Sequence, residues 1–351
     1  MTINAKDIGA IGDGLADDTA ALQTAIDDAY TDNEPLYIPS GTYNVSSSLI
    51  MPFDSGSVFN KGNYIYGDGM LRTNINAVAP NVILFKYTQP GPLKFMMGGE
   101  LSFMSLNGNN QAGSVGLQLQ GLYNQRYNSL IVQGFTDGFN IINSGNPGDN
   151  DACNHLIFEN SIIQNCSQWG IITSVATGNN ETSFISIRDT TIQGCGTVAG
   201  AVGGGMYWRG QMLQFDNSAF VVNKNRGLYI EGGAGLGSNI LANSLCFENN
   251  TGMSLQCYGI TGMEFNQLQM YNNDANIAQY GIYLNATSSY VGQVRVNSAK
   301  VRATAGNNPY VAFMASGADV AAGTVVADSK QIRWDNFGYA GQTQYSGFTV
   351  V

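Results

Sequence analysis

The amino-acid sequence predicts an all-β solenoid, a stack of parallel coils, and three observations carry that prediction. A repeat runs through the middle of the chain: an apolar residue, Asn or Asp two positions later, and another apolar residue three positions after that. It appears as Phe158/Asn160/Ile163, Ile187/Asp189/Ile192, Phe215/Asn217/Phe220 and Leu241/Asn243/Cys246, with a weaker copy at Phe265/Gln267/Met270; successive starts lie 29, 28, 26 and 24 residues apart. A second strand, usually opening on Gly, follows each copy. Pro is scarce, 8 residues in 351, as buried parallel strands that must each donate to a ladder require.

The elements follow in order. Asp7 to Gly14 is a glycine-punctuated turn. Asp17-Asp18-Thr19 opens a helix that Asp17 or Asp18 can cap; Leu22, Ile26 and Ala29 mark its apolar face, and it should end near Tyr30. Asp13, Asp17 and Asp18 read either as turn and cap residues or as a metal or sugar site. Leu36-Tyr37-Ile38 is a short strand, and Pro39 to Tyr43 turns into another. In the repeat, Asn suits a sharp bend because it tolerates φ > 0 and bonds its own backbone, and stacked Asn side chains can bond one another between coils.

The Gly-led strands begin at Gly116, Gly138, Gly170, Gly205, Gly227, Gly252 and Gly281. The first and third residues after each Gly should point inward, leaving two outward columns. One reads Gln118, Asn140, Ile172, Tyr207, Tyr229, Ser254, Tyr283. The other reads Gln120, Ile142, Ser174, Arg209, Glu231, Gln256, Asn285. Seven such coils make a stack on the order of 30 Å long. Gly145 to Ala152 and Gly196 to Gly204 are loops able to line a groove. After Gly306, Ala312 to Ala327 and Ile332 to Phe337 read as closing strands, over the last coil or against a neighbouring chain. The expected organisation is a capping helix and entry strands over 1–50, the solenoid body over 51–305, and closing strands, with possible oligomer contacts, over 306–351.

The first fifty residues resemble the N-terminal motif of the pectate-lyase-like, right-handed parallel β-helix superfamily. The matching residues are Asp7, Gly9-Ala10, Gly12-Asp13-Gly14, Asp17-Asp18-Thr19, Ala21, Gln23, Ala25-Ile26 and Pro39 to Tyr43. The resemblance implies a single-stranded, right-handed parallel β-helix whose N-terminal end is covered by a short capping α-helix. That motif occurs in phage tailspikes, polysaccharide lyases, glycoside hydrolases and alginate epimerases, and it specifies fold rather than chemistry. The Gly-His-Gly turn and paired aspartates of polygalacturonase-like members are absent, as is the Asp-Pro-His-Glu stretch of alginate epimerases. The aspartate arrangement of calcium-dependent pectate lyases is not recognisable.

Composition narrows the partners. Charged residues are 11% of the chain and the net charge is −10, with no Lys/Arg cluster, which excludes a nucleic-acid surface and a basic lipid anchor. No apolar run is long enough for a membrane span. Met1 to Asp7 lacks a signal-peptide core. The five cysteines, an odd number without a CxxC pair, read as buried thiols, and with His155 as the single histidine a zinc site is not expected. His155 itself reads as a loop residue rather than a base. No P-loop or dinucleotide fingerprint occurs, since Gly203-Gly204-Gly205 lacks the Lys and the βαβ context. No cofactor or metal is expected.

The outward columns are the candidate site. Tyr207, Tyr229 and Tyr283 offer flat faces to sugar rings; Gln256 and Asn285 offer hydrogen bonds to hydroxyls; Arg209 can hold an acidic sugar or set the charge state of Glu231. A merely solvated sheet face fits the same residues. A second outward column, Glu159, Arg188, Asp216, Ala242, places Glu159 and Asp216 two coils apart, about 9 to 10 Å, near the upper end for an inverting carboxylate pair. Arg188 between them fits a salt-bridge ladder equally well, or a substrate contact. Catalysis is thus expected from Glu231, Asp216 or Glu159. Glu231 could instead pair with Asp149, Asp151 or Glu181 from a loop, or with a neighbouring subunit.

The likeness to phage tailspike depolymerases implies a homotrimer on a virion tail that binds a bacterial surface polysaccharide and cleaves it as hydrolase or lyase. Two alternatives remain open: a non-catalytic glycan-binding or structural tail protein, and a bacterial secreted polysaccharide lyase or hydrolase.

Overall fold

Parallel pairing repeated at every turn of the chain builds this molecule. The computed structural model describes residues 1–54, 59–88, 94–143, 153–175, 182–198, 203–231, 238–258, 260–272, 280–285, 293–303, 310–316, 325–327, 332–335 and 342–346. The chain divides into two compact units, Met1–Ile185 and Ser186–Val351. Each is a parallel β-solenoid.

In the first unit the helix α1 (Thr19–Asp32) lies at the start and buries Leu22, Ala25, Ile26 and Ala29. It runs one half-turn past Tyr30 because Asn33, in the left-handed region at φ 58°, closes it by donating its N–H to the carbonyls of Ala29 and Tyr30. The entry aspartates are structural. Asp13 accepts the backbone N–H groups of Leu15 and Ala16, both at 2.8 Å. Asp17 accepts from the Thr19 backbone at 3.0 Å and from the Ser46 hydroxyl at 2.6 Å. These bonds hold both carboxyls below the usual carboxylate range. Asp18 occupies the N-cap position, yet its side chain makes no cap bond. It turns back, buried, to take the N–H groups of Ile11 and Gly12 at 2.6 and 3.2 Å, pinning the entry turn. Among the described residues no cluster of His, Cys, Asp and Glu could hold a metal ion.

The expected strands at Leu36–Ile38 and Gly41–Val45 form. One sheet of this unit stacks Ile83–Lys86, Val115–Leu119, Asp137–Asn143 and Trp169–Val175 in register. In the interior Tyr127 stacks on Phe158 at 5.1 Å, and Phe139 closes edge-on at 4.9 Å to Phe158.

The second unit repeats the plan. Gly204–Trp208, Arg226–Glu231, Met253–Tyr258 and Tyr280–Asn285 pair in one sheet. Met212–Asp216, Ser238–Ala242, Ile260–Phe265 and Gln293–Val296 pair in the other. Phe220 stacks on Phe247 at 5.4 Å and meets Phe215 edge-on at 5.7 Å. Tyr310–Ser316, Val325–Ala327, Ile332–Asp335 and Gln342–Ser346 continue the same ladders rung by rung.

Two registers differ from the sequence reading. Phe215 pairs with Ala242 and Phe220 with Phe247, so the fourth repeat is Ala242/Ser244/Phe247, one residue later than Leu241/Asn243/Cys246. A one-residue slip exchanges the two faces: Ala242 and Phe247 are buried, whereas Leu241 and Cys246 are partly exposed. Asn243 does not adopt φ > 0, unlike Asn160, Asp189 and Asn217.

The Gly-led strands have a steric cause, and it exposes the second difference. A Cβ on Gly205 would lie 2.5 Å from the Gly227 carbonyl oxygen, and one on Gly227 would lie 2.6 Å from that of Ser254. Arg226 pairs with Met253 and Leu228 with Leu255, so Ser254, not Gly252, stands in the glycine column. Gly252 is a turn residue at φ +86°, where a Cβ would run into the Asn225 carbonyl. The residues of that one strand shift by two positions: Gln256 pairs with Tyr229, Tyr258 with Glu231, and Ser254 leaves the outward column.

Asn side chains do bond between coils. Asn160 donates to Asn128 at 3.1 Å, Asn217 to Asp189 at 2.7 Å, Asn266 to Asn243 at 2.8 Å and Asn297 to Asn266 at 2.7 Å. A second, buried pair lies inside the turn: Asn223 donates to Asn250 Oδ1 at 3.0 Å and to the Ile192 carbonyl at 2.9 Å, and accepts the Cys195 N–H at 3.0 Å. All five cysteines are free thiols; Cys246 is half-buried and the others are buried.

Replacing Asn223 by Ala orphans the buried Cys195 N–H and frees the Ile192 carbonyl of its side-chain donor, while Asn250 keeps the Asn223 backbone N–H and the Phe220 carbonyl. We expect denaturant unfolding to report a loss of about 1–3 kcal/mol, whereas Asn217→Ala, on the exposed edge, should cost less than about 1 kcal/mol. Equal costs would contradict the burial argument.

Asp137 gives a pH prediction. Burial pushes its carboxyl from 3.8 up to about 6, against one backbone hydrogen bond from Trp169 at 3.1 Å. The folded state therefore holds a proton that the unfolded chain has released. This group's contribution is fully present below about pH 4 and falls, by about 3 kcal/mol, as pH rises to about 6. Asp137→Asn keeps the acceptor and removes the charge. Its stability should exceed wild type at pH 7.5 and show no decline over pH 4 to 6; a variant that keeps the wild-type slope would refute the assignment.

Candidate functional site

Strand alternation in the second unit puts Met206, Trp208, Leu228 and Ile230 in the core, and Tyr207, Tyr229 and Glu231 on the outer face. Parallel register then sets Tyr207 directly beside Tyr229. Their rings stack at 5.1 Å with an 18° interplanar angle. Tyr258, from the next rung, meets Tyr229 edge-on at 5.7 Å. The Tyr207 hydroxyl donates to Glu231 Oε2 at 2.5 Å. Burial raises the pKa of Tyr207 well above that of an ordinary phenol, and the bond to Glu231 adds to the rise, with the Arg209 charge acting against it. Tyr229 shifts upward too, mainly by burial and then by the Glu231 charge, with Arg226 opposing. Tyr207 therefore stays protonated at neutral pH and anchors Glu231 by its hydrogen bond.

Arg226 was not singled out in the sequence, because it precedes the Gly that marks the strand. Its guanidinium lies 4.6 Å from the Tyr229 ring centre, a cation–π contact. Its Nε donates to Gln256 Oε1, and Gln256 Nε2 donates to the Tyr258 hydroxyl at 2.6 Å. Gln256 is only 3% exposed. Its amide holds both Arg226 and Tyr258. Tyr283 stands next in that column, half-buried. Asn285 pairs with Tyr258 through its backbone, and its side chain lies outside the described residues.

The other candidates stand elsewhere. Glu159, in the first unit, faces Arg126 at 3.4 Å. Asp216 faces Arg188 at 3.8 Å and accepts hydrogen bonds from Gln214 Nε2 at 3.0 Å and from Asn243 Nδ2. The outward neighbour of Asp216 is thus Asn243, not Ala242. Arg188 also donates to Ser186 at 2.9 Å. Asp216 is on the opposite sheet from Glu231, so the structure does not bring them together. His155, at φ 55°, stacks on Phe184 at 4.8 Å. Asp149, Asp151 and Glu181 lie outside the described residues.

A second feature of this unit was invisible in the sequence. A groove of about 410 Å³ lies on the sheet that carries Asp216, lined by Met212, Gln214, Asn239, Leu241, Glu264 and Arg295 among others.

The family model described as rhamnogalacturonase A/epimerase, pectate lyase-like, matches residues 2–218. A mannuronan C5-epimerase of Azotobacter vinelandii, AlgE5, is 30% identical over 248 residues, 67% of this chain and 22% of the relative. The chain thus corresponds to about a fifth of that relative's length. Among solved structures, the Agl-KA catalytic domain superposes with a TM-score of 0.63 at 17% identity, over 100% of this chain and 68% of that one. The N-terminal fragment of bacteriophage phi29 gene product 12 gives 0.58 at 15% identity, over 99% and 70%. At these identities the structural likeness speaks for the fold.

If Tyr207 is anchored to Glu231, Tyr207→Phe should remove one of the late-titrating tyrosines in an alkaline ultraviolet titration of the folded protein, leaving the buried Tyr87 and Tyr127 in that late group. It should change stability by no more than about 1–2 kcal/mol. An unchanged titration curve would show that the phenol is not held as described.

Proposed function

The chain belongs to the rhamnogalacturonase A/epimerase, pectate lyase-like family, and from that membership and the tyrosine–glutamate cluster we propose that it binds and depolymerises a bacterial surface polysaccharide, as a tailspike-like protein. The observation that carries this reading is Glu231, held by Tyr207 beside a stacked tyrosine pair and an arginine. Tyrosine faces pack against the C–H faces of sugar rings, and a column of them along the solenoid suits a polymer better than a compact molecule.

Chemically, the cluster favours β-elimination over hydrolysis. Glu231 is the carboxylate of the cluster among the described residues. Elimination from a uronate needs a base at C5, a positive charge to neutralise the carboxylate, and a donor for the leaving oxygen. Glu231, Arg226 with Arg209, and Tyr207 can fill those roles. Inverting hydrolysis needs a second carboxylate across the bond, and Asp216 faces away on the other sheet. Epimerisation, the activity printed for AlgE5, is less favoured, because the Asp-Pro-His-Glu stretch is absent and His155, stacked on Phe184 in the first unit, is the one histidine of the chain.

The phage attachment of this reading, a homotrimer on a virion tail, draws support from the likeness to the phi29 protein's fold. Among the described residues no helix is long and apolar enough to cross a membrane. Light scattering would report the trimer mass.

Incubation with a panel of capsular and O-antigen polysaccharides tests the chemistry. The expected result is new reducing ends together with ultraviolet absorbance from an unsaturated sugar end. Glu231→Gln should lower the rate at least about 100-fold, and Asp216→Asn should leave it within a few-fold. Reducing ends without absorbance, with loss of activity in Asp216→Asn, would replace elimination by hydrolysis at the other sheet. Binding with neither signal would leave a glycan-binding tail component.

A further inference from the structure

The groove on the opposite sheet is not used by the tyrosine–glutamate cluster. Parallel register builds its floor from one position on four successive rungs: Gln214 pairs with Leu241, Leu241 with Glu264, and Glu264 with Arg295. Those rungs span about 14 Å. A flanking column runs from Met212 to Asn239 to Gly262, and Gly262, without a side chain, leaves space in the middle. The volume of about 410 Å³ is in the range of ligand sites.

The lining is mixed in a specific way. Met212 is 38% exposed and Leu241 partly exposed, which gives apolar patches in an otherwise polar trough. Gln214 and Asn239 add amides. Glu264 accepts from Asn297 Nδ2 at 2.8 Å and so belongs to the Asn ladder at the groove edge. Arg295 is exposed and forms no ion pair or hydrogen bond among the described residues. An arginine with a free planar fork, at one end of a trough in a chain of net charge −10, is suited to bidentate capture of a carboxylate.

We propose that this groove is a second saccharide site, separate from the tyrosine–glutamate cluster, that takes a short stretch of uronic-acid-containing glycan. Arg295 binds a uronate carboxylate, Gln214, Asn239 and Glu264 bind hydroxyls, and Leu241 and Met212 meet the C–H faces. The site holds polymer and performs no chemistry. It shares a ligand class with the proposed function and none of its residues.

Calorimetric titration with short oligogalacturonate and oligomannuronate, and with a neutral cello-oligosaccharide of equal length, tests it. The Tyr229→Ala/Glu231→Gln protein silences the first site. In that background the acidic oligosaccharides should still bind one per chain. Arg295→Gln and Leu241→Glu, both at solvent-facing positions, should each weaken that binding at least tenfold, with unchanged thermal unfolding. The neutral oligosaccharide should bind at least tenfold more weakly than the acidic ones. Three results overturn the proposal: no binding in the silenced background, undiminished binding in both groove variants, or equal affinity for the neutral oligosaccharide. Failure here with intact cleavage would leave the proposed function standing. Groove binding in a protein that cleaves nothing would remove the proposed function and leave the groove.

Discussion

Parallel pairing places each residue beside its counterpart on the next rung, about 4.8 Å away. Every column of side chains must therefore tolerate its own repetition at that spacing. Apolar columns do so by stacking, as Tyr127 on Phe158 and Phe220 on Phe247 show. Where the backbone passes close to the neighbouring rung, the column favours glycine, as at Gly205 and Gly227, and takes nothing larger than Ser254 on the rung that follows them. Turn shape, core and surface all inherit this one spacing.

The same constraint explains the sparse charge. Like charges repeated at about 4.8 Å repel along the whole column. A primary amide carries both a donor and an acceptor, so a column of Asn satisfies itself. Asn243, Asn266 and Asn297 do this at the surface, and Asn223 with Asn250 inside the turn. Where charges do enter a column they alternate, as Arg188 with Asp216 and Glu264 beside Arg295. An exposed ion pair such as Arg188–Asp216 adds little stability. Such columns leave polar groups at regular heights along a face, an arrangement matched to a ligand that also repeats.

The two candidate faces use the spacing differently. On one sheet, the hydroxyls of Tyr207 and Tyr258 are bonded to Glu231 and Gln256, and Tyr207 stacks on Tyr229. On the other, a glycine and a leucine among amides and charges open a trough. The first concentrates a carboxyl, a phenol and a guanidinium, which is chemistry; the second spreads hydrogen-bonding groups over four rungs, which is grip.

The amino-acid sequence by itself determined the capping helix, the Asn bends at Asn160, Asp189 and Asn217, and the inward residues of most rungs, because each depends on spacing within a few residues. It also placed Tyr207, Tyr229 and Glu231 on one face. Only the tertiary structure decided which residues share a column where a loop changes length. Gly252 resembles the other strand-opening glycines, yet it serves as a turn, and the two-residue shift puts Gln256 under Arg226 and Tyr258 beside Glu231. The slip at Ala242 likewise gave Asp216 an Asn neighbour. Register is set by backbone bonds between rungs, such as Leu245 N–H to the Gln267 carbonyl and Met51 N–H to the Lys86 carbonyl, and no local pattern carries that distance. Glu264 and Arg295 meet across one such step, which is why the groove could not be read from the chain alone.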